Sequence, residues 1–251
     1  MAALQNLEGQ VIFLTGAAEG LGYATARTFA REKVRLAIVD VQAEKLAKVA
    51  AECEADGAEV LPIVADLSDA AATTAAAEKA LAQFGVPRLM LHNAAILNER
   101  SMSDVTFEQW RKEVNIIMQA AFLLSKAMWQ PMIDAGGGSL LYISSGSALK
   151  GFLKEVAYTP AKHGQEGLMK TLAMEGKPYN IIANTITTGI AINTPMSAGH
   201  YSEDQRARWV DPALLTPAYV YIARQDLTSY VSGERLDAWQ MSEKIRSGEL
   251  V

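Results

Sequence analysis

The chain has 251 residues, 23 basic and 28 acidic side chains, a formal charge of −5 and 50% apolar residues. That is enough apolar chain to bury a core, too acidic for a nucleic-acid glove, which needs a basic face, and, with 20% charged residues, too apolar for disorder. The single cysteine, Cys53, excludes a disulfide framework and points to a reducing, cytoplasmic compartment, while no apolar run reaches membrane-span length and residues 1–9 lack the pattern of a secretory signal.

Short β-rich runs alternate with longer Ala/Leu-rich stretches of helical spacing along the chain. Residues 11–14 read as a strand closed by Thr15-Gly16, and 21–31 as a helix. A second strand, 35–39, ends at Asp40, and 43–54 is helical. Strand 60–64 ends at Ala65-Asp66 and leads into an Ala-rich helix over 70–84. Strand 89–92 ends at Asn93-Ala94-Ala95, and one long helix is expected over 106–133. Strand 139–144, helix 158–175 and strand 181–187 follow, with a last strand expected around Val231-Ser232-Gly233. Continuous apolar runs suit strands buried on both faces. The β-then-α order implies an α/β Rossmann-type fold, a doubly wound parallel sheet of about seven strands. No linker breaks the chain, so residues 1–251 are expected to form a single dinucleotide-binding and catalytic domain. The irregular stretch 188–211 is expected to be a substrate lid, and 237–251 a C-terminal tail.

Ligands bind beyond the carboxyl ends of such strands, which directs attention to Thr15, Asp40, Asp66, Asn93, Ser144, Ser145 and Thr188. Between the first strand and first helix stands Thr15-Gly16-Ala17-Ala18-Glu19-Gly20-Leu21-Gly22. Glycines there allow a tight turn and let a pyrophosphate reach the free N–H groups of the helix N-terminus. A purely structural glycine turn is the other reading of the same spacing. Lys-Ser/Thr is absent after the last glycine, so a Walker-type loop is not supported. Asp40 lies eighteen residues beyond Gly22, near the spacing at which a carboxylate accepts from an adenosine ribose; capping the following turn is its alternative role. A 2′-phosphate about 4 Å from Asp40 would cost roughly 4 kcal/mol per charge pair at an effective dielectric of about 20. Glu19 adds a second negative charge, so the expected cofactor is NAD rather than NADP.

These motifs, with Asp66-Leu67, Asn93-Ala94-Ala95, Asn115, Ser145 and Tyr158-Thr159-Pro160-Ala161-Lys162 in that order, resemble the short-chain dehydrogenase/reductase family over about residues 7–236. The resemblance implies NAD-linked interconversion of a secondary alcohol and a ketone. It makes Asn115, Ser145, Tyr158 and Lys162 the catalytic set. Oxidation needs a base at the alcohol proton. A tyrosine of ordinary pKa, about 10, serves only if its phenolate is favoured by roughly 3–4 kcal/mol. Lys162, one helical turn from Tyr158, supplies a suitable charge, and Ser145 can donate to the substrate oxygen. By resemblance, Lys162 also binds the nicotinamide ribose and Asn115 holds a water that relays protons to it. The resemblance further assigns cofactor contacts to Gly16, Glu19, Gly20, Leu21, Gly22, Asp40, Val41, Asp66, Leu67, Asn93, Ala94, Tyr158, Lys162, Gly189, Ile190 and Thr194. The chain departs from the family pattern at His92 and Ala95, where Asn and Gly are usual, and at Thr188, where Pro is usual.

His92, His163 and His200 are not at metal-ligand spacing, so no metal is expected, and no Gly-x-Ser-x-Gly elbow suggests a hydrolase. Leu97, Leu149, Phe152, Leu153, Val156, Ile192, Met196, Tyr201, Trp209, Trp239 and Met241 are candidate walls for an apolar, aromatic or cyclic substrate. Lys150, Lys154, Asn98, Glu99 and Arg100 keep a polar or acidic substrate open. A carbonyl reductase, a sugar or polyol dehydrogenase, and an idle NAD-binding regulator are the alternatives. Small residues on the two longest helices, with the resemblance, imply a homodimer or homotetramer.

Overall fold

Seven strands line up in parallel, in the order β3-β2-β1-β4-β5-β6-β7. They are β1 (Val11–Thr15), β2 (Arg35–Asp40), β3 (Glu59–Val64), β4 (Leu89–His92), β5 (Gly138–Ile143), β6 (Ile181–Thr187) and β7 (Arg235–Asp237). This is the computed structural model of the chain, and it describes residues 4–200 and 203–250. The helices are α1 (Gly20–Arg31), α2 (Ala43–Ala55), α3 (Ala70–Phe84), α4 (Phe107–Val114), α5 (Ala120–Asp134), α6 (Tyr158–Gly176), α7 (Glu203–Arg206), α8 (Thr216–Ala223) and α9 (Ala238–Arg246).

Alternate residues of the central strands feed two cores, as the period of two in a strand requires. Ile12, Leu14, Leu36 and Ile38 pack with Phe29 of α1, Leu46 of α2 and Tyr219 of α8. Phe13, Ala37, Val39 and Met90 pack on the opposite face with Ala77 of α3, Met128 of α5 and Met169 of α6. The sheet is therefore covered on both sides. Its order reverses between β1 and β4, which opens the crevice that such folds use for ligands.

Three elements differ from expectation. The long helix begins after Thr106, whose side chain caps it in a reciprocal box with Gln109, but it is interrupted. Residues Asn115–Gln119 form one π-helical turn between α4 and α5. The last strand lies beyond the expected Val231-Ser232-Gly233. Gly233 turns with φ +88° while its N–H donates to the Ala183 carbonyl at 2.8 Å, and Ser232 Oγ accepts from the Ala183 N–H at 3.0 Å, so the regular ladder with β6 starts at Arg235. Within the described part of the C-terminal tail, α9 is capped by the Asp237 side chain, and Trp239 and Met241 pack on the α1–α8 core rather than in the crevice.

A buried chain of hydrogen bonds ties the crevice together. Thr15 Oγ1 accepts from the N–H groups of Asn93 and Ala94, both at 3.1 Å. Its proton is then free to go to Nδ1 of His92 at 2.8 Å. Nε2–H of His92 donates to the Ile116 and Ile117 carbonyls of the π turn at 3.0 and 3.1 Å. Burial, reinforced by the Lys162 charge, holds the His92 pKa down at about 4, so the imidazole is neutral at neutral pH.

Replacing Thr15 by Val keeps the shape but leaves one imidazole acceptor and two N–H donors without this oxygen. The loss expected is about 3 kcal/mol, because unpaired buried polar groups cost about 1–3 kcal/mol each. That corresponds to a melting temperature lower by about 6–12 °C in a chain of this size. Calorimetry checks it; a fall of under about 2 °C would mean that the hydroxyl is not the pin.

Candidate active site

The carboxyl ends of the strands open into a cleft of about 1100 Å³. Gly16, Glu19, Gly20, Leu21, Asp40, Val41, Asp66, Leu67, Asn93, Ala94, Ser145, Tyr158, Lys162, Ile190 and Thr194 all line it. Three expected residues, Gly22, Gly189 and Asn115, do not.

Gly22 and Gly189 act from behind the wall. A Cβ on Gly22 would lie 1.8 Å from the Gly16 carbonyl oxygen, so only glycine allows α1 to start this close to the turn. Gly189 has φ +73° and faces the Asp237 carboxylate, where a Cβ would meet Oδ1 at 2.1 Å. The Asn115 carboxamide donates to the Ser68 carbonyl at 2.9 Å and borders a separate shallow depression with Asp69 and Lys112.

One end of the cleft fits a dinucleotide. The Asn93 carboxamide straps the glycine turn, donating to the Thr15 and Gly16 carbonyls at 3.1 and 2.9 Å. Ala95 is not among the residues of positive φ, so the usual glycine is not needed there. The two carboxylate oxygens of Asp40 accept from the Ala18 and Gln42 N–H groups, each at 3.0 Å. This fixes the carboxylate at the rim with lone pairs left for further donors. Glu19 is not a bare charge: Lys45 Nζ stands 2.5 Å from its Oε2. Thr194 shares a 2.7 Å hydrogen bond with Ser197 Oγ and abuts Gly20, whose Cβ would lie 3.2 Å from the Thr194 side chain.

At the other end, Ser145 caps a 3-10 turn (Gly146–Ala148) just after β5. Tyr158 opens α6 and is 7% exposed. Lys162 is 2% exposed, with Nζ 5.6 Å from the Tyr158 ring centre. Nζ donates to the Ile143 carbonyl at 2.5 Å and to Gln165 Oε1 at 3.2 Å. Burial pulls the Lys162 pKa down to about 7, against an opposing pull from Glu166. This arrangement can hold an alcohol oxygen beside Ser145 and Tyr158 and favour the phenolate by a neighbouring cation.

The remaining wall is mixed. Leu97, Phe152, Leu153, Ile192 and Met196 line it with Lys150, Lys154, Glu99 and His200, the last two hydrogen-bonded at 3.0 Å. Leu149, Val156, Trp209, Trp239, Met241, Asn98 and Arg100 are not part of it, and Tyr201 lies outside the described residues. Of the described residues in the stretch 188–211, only Thr188, Ile190, Ile192, residues 194–197 and His200 line the cleft, and a bridge joins Ile192 to Val210. Sequence reasoning missed Lys45 and Gln165; the helical spacing that places Gln165 three residues after Lys162 was the only available signal.

A family model described as short chain dehydrogenase matches residues 10–205. A trans-4-hydroxycyclohexanecarboxylate dehydrogenase of Sinomonas cyclohexanicum is 31% identical over 236 residues, 90% of each chain. A D-threitol dehydrogenase of Mycolicibacterium smegmatis is 28% identical, over 92% of each chain. A crystal structure described as a putative NAD(P)-dependent gluconate 5-dehydrogenase of Beutenbergia cavernae, with bound NADP, superposes with a TM-score of 0.85 at 27% identity, covering 94% of this chain and 98% of that one. The chain therefore belongs to the short-chain dehydrogenase family and is an oxidoreductase acting on alcohol-type CH–OH groups.

Proposed function

We propose that the protein catalyses reversible, NAD-linked oxidation of a ring-bearing secondary alcohol to a ketone. The observation that carries this reading is that Ser145, Tyr158 and Lys162 share one cleft with the glycine turn and Asp40. When bound, the nicotinamide supplies the hydride acceptor. Ser145 donates to the substrate oxygen and orients it. Tyr158 takes the hydroxyl proton as the C–H bond breaks, and returns it in reduction. Lys162 holds the phenolate by charge and the nicotinamide ribose by hydrogen bonding. Asn115 contributes at one remove. Its bond to Ser68 anchors the start of the π turn, and the Ile117 carbonyl of that turn accepts from Gln165, the partner of Lys162.

In this proposal Gly16, Gly20, Leu21 and Gly22 form the pyrophosphate turn, and Asp40 and Val41 take the adenosine ribose. Asp66 and Leu67 border adenine, while Asn93, Ala94, Gly189, Ile190 and Thr194 shape the nicotinamide end. Asp40 is the reason for preferring NAD, because a 2′-phosphate meets its fixed carboxylate. The apolar wall formed by Leu97, Phe152, Ile192 and Met196 suits a ring, and Lys150 and Lys154 suit a polar or anionic far end. The relative acting on a hydroxycyclohexanecarboxylate supports that choice. Residues 1–251 act as one catalytic unit, with 188–211 as the lid. Exposed Phe122 and Met174 on α5 and α6 support pairing into a homodimer or homotetramer. Among the described residues no helix is long and apolar enough to cross a membrane, and a cytoplasmic location accords with the single, free cysteine.

The test is NADH production from cyclic, aromatic, steroid-like and polyol alcohols, with NADP in parallel. A polyol as the best substrate would replace the ring-bearing reading. No hydride transfer even in a single turnover, with NADH bound, would favour an idle binder. Tyr158→Phe should lower kcat by about 100-fold or more with NADH affinity unchanged; retention of a tenth of the rate would remove Tyr158 from its role. Asp40→Ala should lower the ratio of kcat/KM for NAD over NADP by about tenfold or more, equivalent to about 1.4 kcal/mol. An unchanged ratio would place cofactor choice elsewhere.

A further inference from the structure

Two catalytic-set residues are tied to one buried carboxylate that does not line the cleft. Glu166 stands one helical turn beyond Lys162 on α6 and is 8% exposed. Its Oε1 accepts from Ser144 Oγ at 2.5 Å. Both its oxygens lie within hydrogen-bond range of Thr185 Oγ1 on β6, at 3.0 and 2.9 Å. Arg235 of β7 reaches across the sheet end to the same point. Its Nε is 3.4 Å from Glu166 Oε1 and 3.3 Å from Ser144 Oγ. A terminal nitrogen of the same guanidinium donates to the Ser145 backbone carbonyl at 2.9 Å.

A carboxylate at this depth needs charged or hydrogen-bonding partners. It has Ser144, Thr185 and Arg235 around it, with Lys162 the next charged group along its own helix. A planar guanidinium presents several donors at fixed angles, so one side chain holds a carboxylate and a backbone carbonyl together. Arg235 thereby links the last strand to the peptide that carries Ser145. Glu166 favours the Lys162 ammonium, opposing the burial that disfavours it.

We propose that Glu166 and Arg235 are a positioning pair for the reaction: Arg235 fixes the backbone of Ser145 from behind the cleft, and Glu166 keeps Lys162 charged beside Tyr158. This rests on the reading of Ser145, Tyr158 and Lys162 as the catalytic set. The sign of the charge effect follows from the groups that face one another. Lys162 has the Tyr158 ring beside it, Glu166 one turn further along the same helix, and the neutral His92 at the end of β4 on the same face of the sheet. Removing the Glu166 charge makes the ammonium less stable, so the Tyr158 phenolate loses its neighbouring cation and forms at higher pH. Glu166 repels that phenolate directly, but from two helical turns away, about 12 Å, whereas Lys162 Nζ is 5.6 Å from the ring centre.

The experiment follows Tyr158 ionisation by its phenolate absorbance, as the difference between each protein and its Tyr158→Phe counterpart. It needs no substrate. Glu166→Gln preserves an acceptor for Ser144 and Thr185 while removing the charge; the Tyr158 midpoint should rise by about half a unit or more. The rising limb of kcat against pH should move with it, and KM for the alcohol should stay within about twofold. Arg235→Lys, at a partly exposed edge position, tests the clamp whether or not Glu166→Gln folds. It should lower kcat about tenfold with KM within about twofold and leave the Tyr158 midpoint in place. A folded Glu166→Gln protein with an unmoved midpoint overturns the charge role, and wild-type kcat in Arg235→Lys overturns the clamp. A wild-type Tyr158 that ionises at the ordinary tyrosine value, about 10, overturns both this pair and the catalytic reading beneath it. A lowered wild-type midpoint with unaffected variants overturns the pair alone.

Discussion

An ammonium taken out of water loses several kcal/mol of hydration even after the protein relaxes, and Lys162 is 2% exposed. Much of the architecture around the cleft answers that constraint. The Ile143 carbonyl at the end of β5 and the Gln165 side chain accept two of its protons. Gln165 is itself held by the Ile117 carbonyl of the π turn at 3.3 Å. The widened turn thus presents a carbonyl sideways, out of the regular helical ladder, to a side chain of α6. Single π turns commonly mark functional positions in long helices, and here the turn has an identifiable task.

The same turn joins the two ends of the cleft. His92 donates to the Ile116 and Ile117 carbonyls and takes the Thr15 proton, and Thr15 in turn holds the peptides of Asn93 and Ala94. Asn93 straps the glycine turn. A continuous path of buried bonds therefore runs from the neighbourhood of Lys162 to the start of α1. An asparagine, usual in the family at position 92, is shorter than an imidazole whose two nitrogens bridge Thr15 and the π turn. The departure from the family pattern is thus a structural solution in its own right.

Strand ends and the glycine turn were legible because they depend on local rules: apolar runs, glycine spacing and parallel-sheet topology. That Ser145, Tyr158 and Lys162 share one cleft was legible through their order and the helical spacing of the last two. The π turn was not, since it adds a fraction of a turn without disturbing the apolar pattern. The Asn115 bond to Ser68, made by the first residue of that turn, was equally invisible in the sequence. The last strand was misread because Arg235-Leu236-Asp237 has no apolar run; it is held by pairing with β6 and by the Glu166 contact, both remote in sequence. Trp239 and Met241 looked like cleft walls only because their helix was read as an unplaced tail.

Charge at the proposed adenosine end shows why position outweighs count. Glu19 and Asp40 appear in the sequence as two equivalent negative charges near a cofactor. In the structure Glu19 is paired with Lys45, and both are substantially exposed, at 36% and 56%. Such a pair is screened by water and contributes little net field. Asp40 is 9% exposed and immobilised by two backbone amides. Among the described residues no cation pairs with it, and, held by both oxygens, it does not swing aside to admit a phosphate. In the proposed NAD-linked reading, discrimination against a 2′-phosphate therefore falls on Asp40, with Glu19 and Lys45 close to cancelling.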